Sequence, residues 1–274
     1  MKKIVDFLIH SNIYLSLGAS SLAYISCKLL GLGLRVEPLL ITFSTTFFLY
    51  NLNRKTDIKE DIINYPERVK FLSKYGKIIF YVSMVFYILS LFIAITKSIF
   101  TFLIALIPTT IMILYAFFRL KKVFLLKNFI ASLGWASMVL LVSNYYNLSF
   151  NISIFSVFFF IFLRLFINTI VFDIRDLKGD ESSNIITIPV KIGINKTKKI
   201  LHILNIFSFI FILMSTTLLN LNKVAYLTGF IALIYGFLFI FLINKINIKK
   251  LCEIVDGEMI ILGIVCFLGS LAIK

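Results

Sequence analysis

Apolar runs, each about the length that spans a bilayer, alternate with short polar connections from one end of the chain to the other. A crossing needs about 20 apolar residues, and on that basis the pattern predicts nine helices, at 11–33, 36–53, 75–96, 98–118, 124–146, 151–173, 200–220, 224–243 and 255–273. Period alone does not separate helix from strand inside such runs. Their length and their lack of alternation exclude a barrel, and lipid offers the backbone no partner outside its own segment. The expected fold is therefore all-α: a polytopic membrane protein with nine transmembrane helices in one bundle. Residues 1–274 form a single domain in this reading, because no stretch is left over for a soluble one.

Composition agrees, since 60% hydrophobic residues, 30 of them Phe, exceed what a water-solvated domain carries. The formal net charge of +15 would suit nucleic acid only on a solvent-facing basic surface, and here the cations sit in short loops between apolar runs. Nucleic acid is excluded as a partner, and the cations become topology markers. The N-terminus and the loops after predicted helices two, four, six and eight hold 22 of the 28 Lys and Arg; the opposite side holds five, and Arg164 lies inside helix six. Positive loops are retained in the cytoplasm. That places the N-terminus inside and the C-terminus outside the cell membrane. Lys2 and Lys3 ahead of an apolar run look like the start of a signal peptide, but no convincing cleavage site follows, so the segment is kept as the first helix. Cys27, Cys252 and Cys266 lack metal-ligand spacing and read as buried apolar residues, and His10 and His202 as packing or interfacial ones.

The acids are sorted as sharply as the cations. Asp57, Glu60, Asp61 and Glu67 follow helix two, and Asp173, Asp176, Asp180 and Glu181 follow helix six: eight of thirteen acids in two cytoplasmic loops. Within them, Asn53, Asp57 and Asp61 are spaced by four residues, and Asp176 and Asp180 repeat the step. On a helix, residues four apart share a face, so each cluster can aim its oxygens at one volume. Carboxylates gathered this way repel one another unless a cation intervenes. Hard oxygen ligands suit Mg²⁺, which bridges carboxylates to substrate phosphates, and a diphosphate is the natural guest. The plainer alternative is that the acids only solvate their loops and pair with Arg54, Lys55, Lys59, Arg175 and Lys178.

Polar atoms continue from both clusters into the helices. Thr42, Thr46 and Tyr50 lead up to Asn53, and Arg164 and Asn168 lead up to Asp176. A charge such as Arg164 within a span costs a few kcal/mol or more and has to face the bundle interior and a partner. That partner is either a substrate or an interhelical ion pair. A transporter would also bury polar residues in a bundle, but transport relays usually lie at midplane, and these acids lie at one mouth.

These residues resemble the UbiA superfamily of intramembrane prenyltransferases. Its first motif, NxxxDxxxD, is matched by Asn53, Asp57 and Asp61, and its second, DxxxD, by Asp176 and Asp180. The surrounding text is similar too: YNLNRKTDIKEDIINYPER, VFDIRDLKGDESSNIITIPVKIG and LKKVFLLKNFIASLGWA. The resemblance implies that each aspartate cluster binds Mg²⁺ and that together they grip the diphosphate of a prenyl diphosphate donor. Ionisation to an allylic cation and capture by an acceptor follow; water is excluded by the apolar bundle. It also implies that Arg68 and Lys121 clamp diphosphate oxygens, with Lys127 and Asn128 just beyond. Tyr115 either reaches the same cavity or anchors at the interface. Two positions depart from the family: Asn184 stands where Gly is frequent, and Asp173 where some members have Asn. As a third acid, Asp173 either binds metal, takes the acceptor's proton or pairs with Arg175. The implied acceptors are an aromatic ring, a tetrapyrrole or a lipid headgroup; the alternative chemistry is a terpene cyclase of the same fold.

Overall fold

A computed structural model describes residues 2–56, 66–117, 123–182 and 185–272. Among these residues there is no strand, and eleven helices follow one another: α1 (Lys2–His10), α2 (Ile13–Leu29), α3 (Val36–Thr56), α4 (Pro66–Lys97), α5 (Ile99–Phe117), α6 (Leu126–Tyr145), α7 (Ile152–Ser182), α8 (Ile188–Leu219), α9 (Val224–Leu242), α10 (Ile248–Asp256) and α11 (Glu258–Ala272). The start and stop signals are local. Pro66 opens α4 and Pro189 sits in the first turn of α8, where a missing N–H costs nothing. Asn220 and Asn244, past the ends of α8 and α9, and Asn147, past α6, adopt the left-handed conformation that Asn tolerates. Gly193, with φ 77°, breaks α8 after its first turn and tilts the remainder against α7.

Each predicted apolar run is matched by a helix, and the mismatches fall at the ends. The clusters expected in loops are partly helical: α7 continues nine residues beyond 173, to Ser182, and carries Asp176 and Asp180 on its last turns. α3 likewise runs on to Thr56. The apolar run marks the bilayer's thickness rather than the helix's end, and α7 continues through DIRDLKGDE, Gly179 included, to Ser182. The expected ninth helix, 255–273, is divided at Gly257 into the end of α10 and the whole of α11. α1 and α10 are short helices that the apolar pattern did not predict, because both are amphipathic rather than uniformly apolar.

The long helices form a closed ring. Each packs on the next from α2 through α9, α9 packs on α11, and α11 returns to α2. α7 is the most enclosed, with Phe160, Ile161, Ile167 and Ile170 fully buried. Outside, α4 exposes Ile78, Val85, Ile88, Leu89 and Phe92, each more than half exposed. So continuous an apolar exterior is the surface of an integral membrane protein solvated by lipid. Among the described residues, five helices are by length and composition apolar enough to cross: those within Glu67–Lys97, Leu126–Tyr145, Ile152–Leu177, Ile188–Leu219 and Val224–Leu242. At one end of the ring Arg54 of α3, Arg68 of α4 and Arg175 of α7 all act on Asp256 of α10, Lys127 of α6 reaches Asp173 of α7, and α10 packs against α7.

Candidate active site

The mouth is fixed by polar bonds between helix ends. At the α1–α2 corner, Asn12 Nδ2 donates to Asn51 Oδ1 at 3.0 Å, and Asn51 Nδ2 donates to the carbonyls of Ser11 (3.2 Å) and Phe47 (2.7 Å). This latch orients the last turn of α3, on which Asn53 stands. One turn earlier, Trp135 Nε1 of α6 donates to the Tyr50 hydroxyl at 3.2 Å. Asp57, Asp61, Lys121 and Asn184 lie outside the described residues. Tyr115 lies on the last turn of α5, where the backbone alone is described.

The acids of the second cluster, Asp173, Asp176 and Asp180, all lie among the described residues. Asp173 is completely buried and receives two consecutive residues from the start of α6: Lys127 Nζ lies 2.8 Å from Oδ1, and Asn128 Nδ2 donates to Oδ2 at 2.7 Å. Lys127 Nζ is also 3.8 Å from Asp180 Oδ2. Arg175 grips Asp176 with both arms, Nε to Oδ1 and an outer nitrogen to Oδ2, each at 2.7 Å. Of the three roles open to Asp173, pairing is the one the geometry displays, but with Lys127 rather than Arg175. Lys127, which the sequence placed just beyond the clamp, is the cation that pairs with Asp173.

Arg68 opens α4 on the same mouth. Its charge, with those of Arg54 and Arg175, acts on Asp256, the last residue of α10. Burial pushes the Asp256 carboxyl up to about 6, and those three guanidinium groups pull the other way. Burial and the Arg68 cation also hold His10 below its ordinary value; its ring lies against Phe71, 5.6 Å between centroids, as a packing histidine does.

Farther down α7, Arg164 has no exposed surface. Its Nε donates to Glu258 Oε1 at 2.8 Å, and one outer nitrogen makes a second bond to the same oxygen. The other donates to Asn205 Oδ1 at 2.5 Å and Ser208 Oγ at 3.2 Å. Asn168, one turn on, lies beside the same carboxylate. Of the two readings open to Arg164, the interhelical ion pair is the one observed, joining α7, α8 and α11 below the mouth. Sequence reasoning passed over Asp256 and Glu258, although both fall inside the predicted helix 255–273 and the argument applied to Arg164 reaches them equally: an acid in an apolar run also needs a partner. Asn205 carried no such signal.

Among the described residues, no three His, Cys, Asp or Glu side chains are close enough to hold a metal ion by themselves. What Asp176 and Asp180 offer is an oxygen-only donor pair one helical turn apart, a set that fits a hard divalent cation and leaves positions for water and phosphate.

The sequence model of the UbiA prenyltransferase family matches residues 18–255, a range that includes both aspartate motifs. No curated protein matches by sequence. Among solved structures, one described for digeranylgeranylglyceryl phosphate synthase in membranes aligns over 99% of this chain and 100% of its own, at 20% identity and a TM-score of 0.63. A UbiA homolog from Aeropyrum pernix K1 aligns over 93% and 98%, at 12% identity and TM-score 0.72. A UbiA homolog from Archaeoglobus fulgidus bound to GPP and Mg²⁺ aligns over 93% and 95%, at 15% identity and TM-score 0.69. At such identities the likeness is one of fold.

Proposed function

This chain belongs to the UbiA prenyltransferase family, and from that premise we propose that it transfers a polyprenyl group from a prenyl diphosphate to an acceptor in an Mg²⁺-dependent reaction at the mouth of the bundle. The observation that carries the reading is that Arg54, beside Asn53 on the last turn of α3, and Arg175, beside Asp176 near the end of α7, both act on the buried Asp256, so that the helix ends bearing the two motifs surround one carboxyl. A structure of the same fold that holds GPP and Mg²⁺ supports it.

In this reading Asn53, Asp57, Asp61, Asp176 and Asp180 hold the ions, and Arg68 and Lys121 contact diphosphate oxygens, with Tyr115 reaching the same cavity. Mg²⁺ supplies charge neutralisation of the departing diphosphate. The chain's own work is to orient the donor and keep water away. The Asn12–Asn51 latch fixes the end of α3, Asp173 holds Lys127 beside the second cluster, and the buried wall of α7 shields the allylic carbon. Arg175 pairs with Asp176 across the same short stretch, so a metal ion that takes Asp176 shares that carboxylate with the guanidinium or displaces it. Arg164 and Asn168 act one step removed, through the tie to Glu258.

All nine long helices, α2 to α9 and α11, cross the membrane in this reading. The N-terminus and the site face the cytoplasm, as the 22-to-5 split of cations supports. Labelled prenyl diphosphate incubated with aromatic acids, tetrapyrroles and glycerophosphate lipids tests the chemistry. A prenylated acceptor is expected; diphosphate release with a cyclic hydrocarbon and no adduct would overturn the transferase assignment.

A further inference from the structure

The second aspartate cluster carries its own cation. Asp173 and Asp180 are seven residues apart on α7, two helical turns, and therefore share a face with Asp176 near it. Lys127 enters that face from α6, 2.8 Å from Asp173 and 3.8 Å from Asp180. Asp173 is wholly buried, with Lys127 on one oxygen and Asn128 on the other, so it is spoken for and offers little to a metal ion. Asp180 is reached by Lys127 at longer range. We infer that Lys127 is a tethered counter-cation which Asp173 positions to compete with a metal ion for Asp180, so that the Lys127–Asp173 pair sets the metal affinity of this cluster.

This deepens the reading of Asp176 and Asp180 as metal ligands and rests on it. A divalent ion at Asp180 meets an ammonium group a few ångströms away, in a partly buried place where like charges repel strongly. Asp173 limits that repulsion by keeping the ammonium on its own side. Two neighbouring substitutions therefore have opposite effects. Lys127→Met removes the competitor and leaves the Asp173 charge behind, tightening metal binding by roughly tenfold or more. Asp173→Asn releases Lys127 onto Asp180 and weakens binding by a similar factor. A merely structural contact would weaken binding in both variants or leave it unchanged.

The experiment is a Mn²⁺ titration of the full chain in nanodiscs without prenyl diphosphate, with the free ion followed by electron paramagnetic resonance. Asp176→Asn identifies the part of the signal that belongs to the second cluster. The expected order is Lys127→Met tightest, wild type and Lys127→Arg together, and Asp173→Asn weakest. A folded Lys127→Met that binds Mn²⁺ no more tightly than wild type overturns the inference, as does a tighter Asp173→Asn. Should Lys127→Met fail to fold, the neutral pair Lys127→Met/Asp173→Asn decides, since it must bind more tightly than Asp173→Asn alone. Absence from the wild type of any Mn²⁺ site sensitive to Asp176→Asn would overturn the metal reading itself, a result distinct from a site that ignores Lys127.

Discussion

Glu258→Gln is the perturbation whose cost can be worked most directly from the structure. The substitution keeps the shape of the side chain and removes its charge, leaving the fully buried Arg164 with neutral acceptors only, the amide oxygen at 258, Asn205 and Ser208, and no counter-charge. Breaking one side of a buried ion pair costs about 3–5 kcal/mol, and a charged hydrogen bond alone is worth roughly 1.5–3 kcal/mol. A loss of about 3 kcal/mol is expected, which lowers the melting temperature by roughly 6–12 °C for a chain of this size. Replacing both partners with Met should cost less than either single change, with a coupling of roughly 2 kcal/mol, because the uncompensated charge disappears along with its partner. The assay is thermal unfolding of the purified protein in one fixed detergent, paired with the KM for prenyl diphosphate below the transition. KM should stay within about threefold of wild type, since the Arg164 bonds to Glu258, Asn205 and Ser208 all end inside the bundle. A melting temperature within 2 °C of wild type, roughly 0.5 kcal/mol, refutes the reasoning; so does an unchanged melting temperature with a tenfold higher KM, which would make Arg164 a substrate contact.

Gly236 lies where a Cβ would stand 2.1 Å from Asn205 Oδ1, so Gly236→Ala has to dislodge the residue that receives Arg164; a loss of about 1–3 kcal/mol is expected in the same unfolding assay. Asp256 gives a pH dependence. Its carboxyl is raised from 3.8 to about 6 in the folded chain by burial, against the pull of Arg175, Arg68 and Arg54. Between those values the folded state binds the extra proton, so this group's contribution makes stability fall as pH rises from about 4 to about 6. Asp256→Asn should remove that component of the slope, and identical slopes for wild type and variant across this window would count against it.

The apolar runs were legible from their length, and each coincides with a helix except the ninth, which is divided between α10 and α11; among the described residues five of the helices are long and apolar enough to cross a membrane. The ends were not. Apolarity stops at the edge of the hydrocarbon, whereas α7 goes on through polar residues to Ser182, and α4 begins at Pro66 with Glu67, Arg68 and Lys70 in its first turns. α10 stayed hidden for a related reason: Lys249, Lys250 and Glu253 face outward from it while Leu251, Cys252 and Val255 are buried, so no uniformly apolar window marks it. In the site, Asp176 and Asp180 could be read from spacing, since four residues is one helical turn. The partner of Asp173 could not, because Lys127 lies 46 residues away in sequence and only the packing of α6 on α7 brings it near. Arg164 announced that it needed a partner but not which one. Glu258, 94 residues on, was readable by the same rule.

The central claim is that the two aspartate clusters act together on a prenyl diphosphate through Mg²⁺. Its most direct test is diphosphate release from a labelled prenyl diphosphate in the presence of acceptor, measured for the wild type with Mg²⁺, with EDTA in its place, and for Asp57→Ala and Asp176→Ala. Turnover that needs Mg²⁺ and falls by roughly a thousandfold in each variant is the expected result, since removing one element of a charge-stabilising site commonly costs 10²–10³ or more. Mg²⁺-dependent turnover retained in both variants would contradict the account.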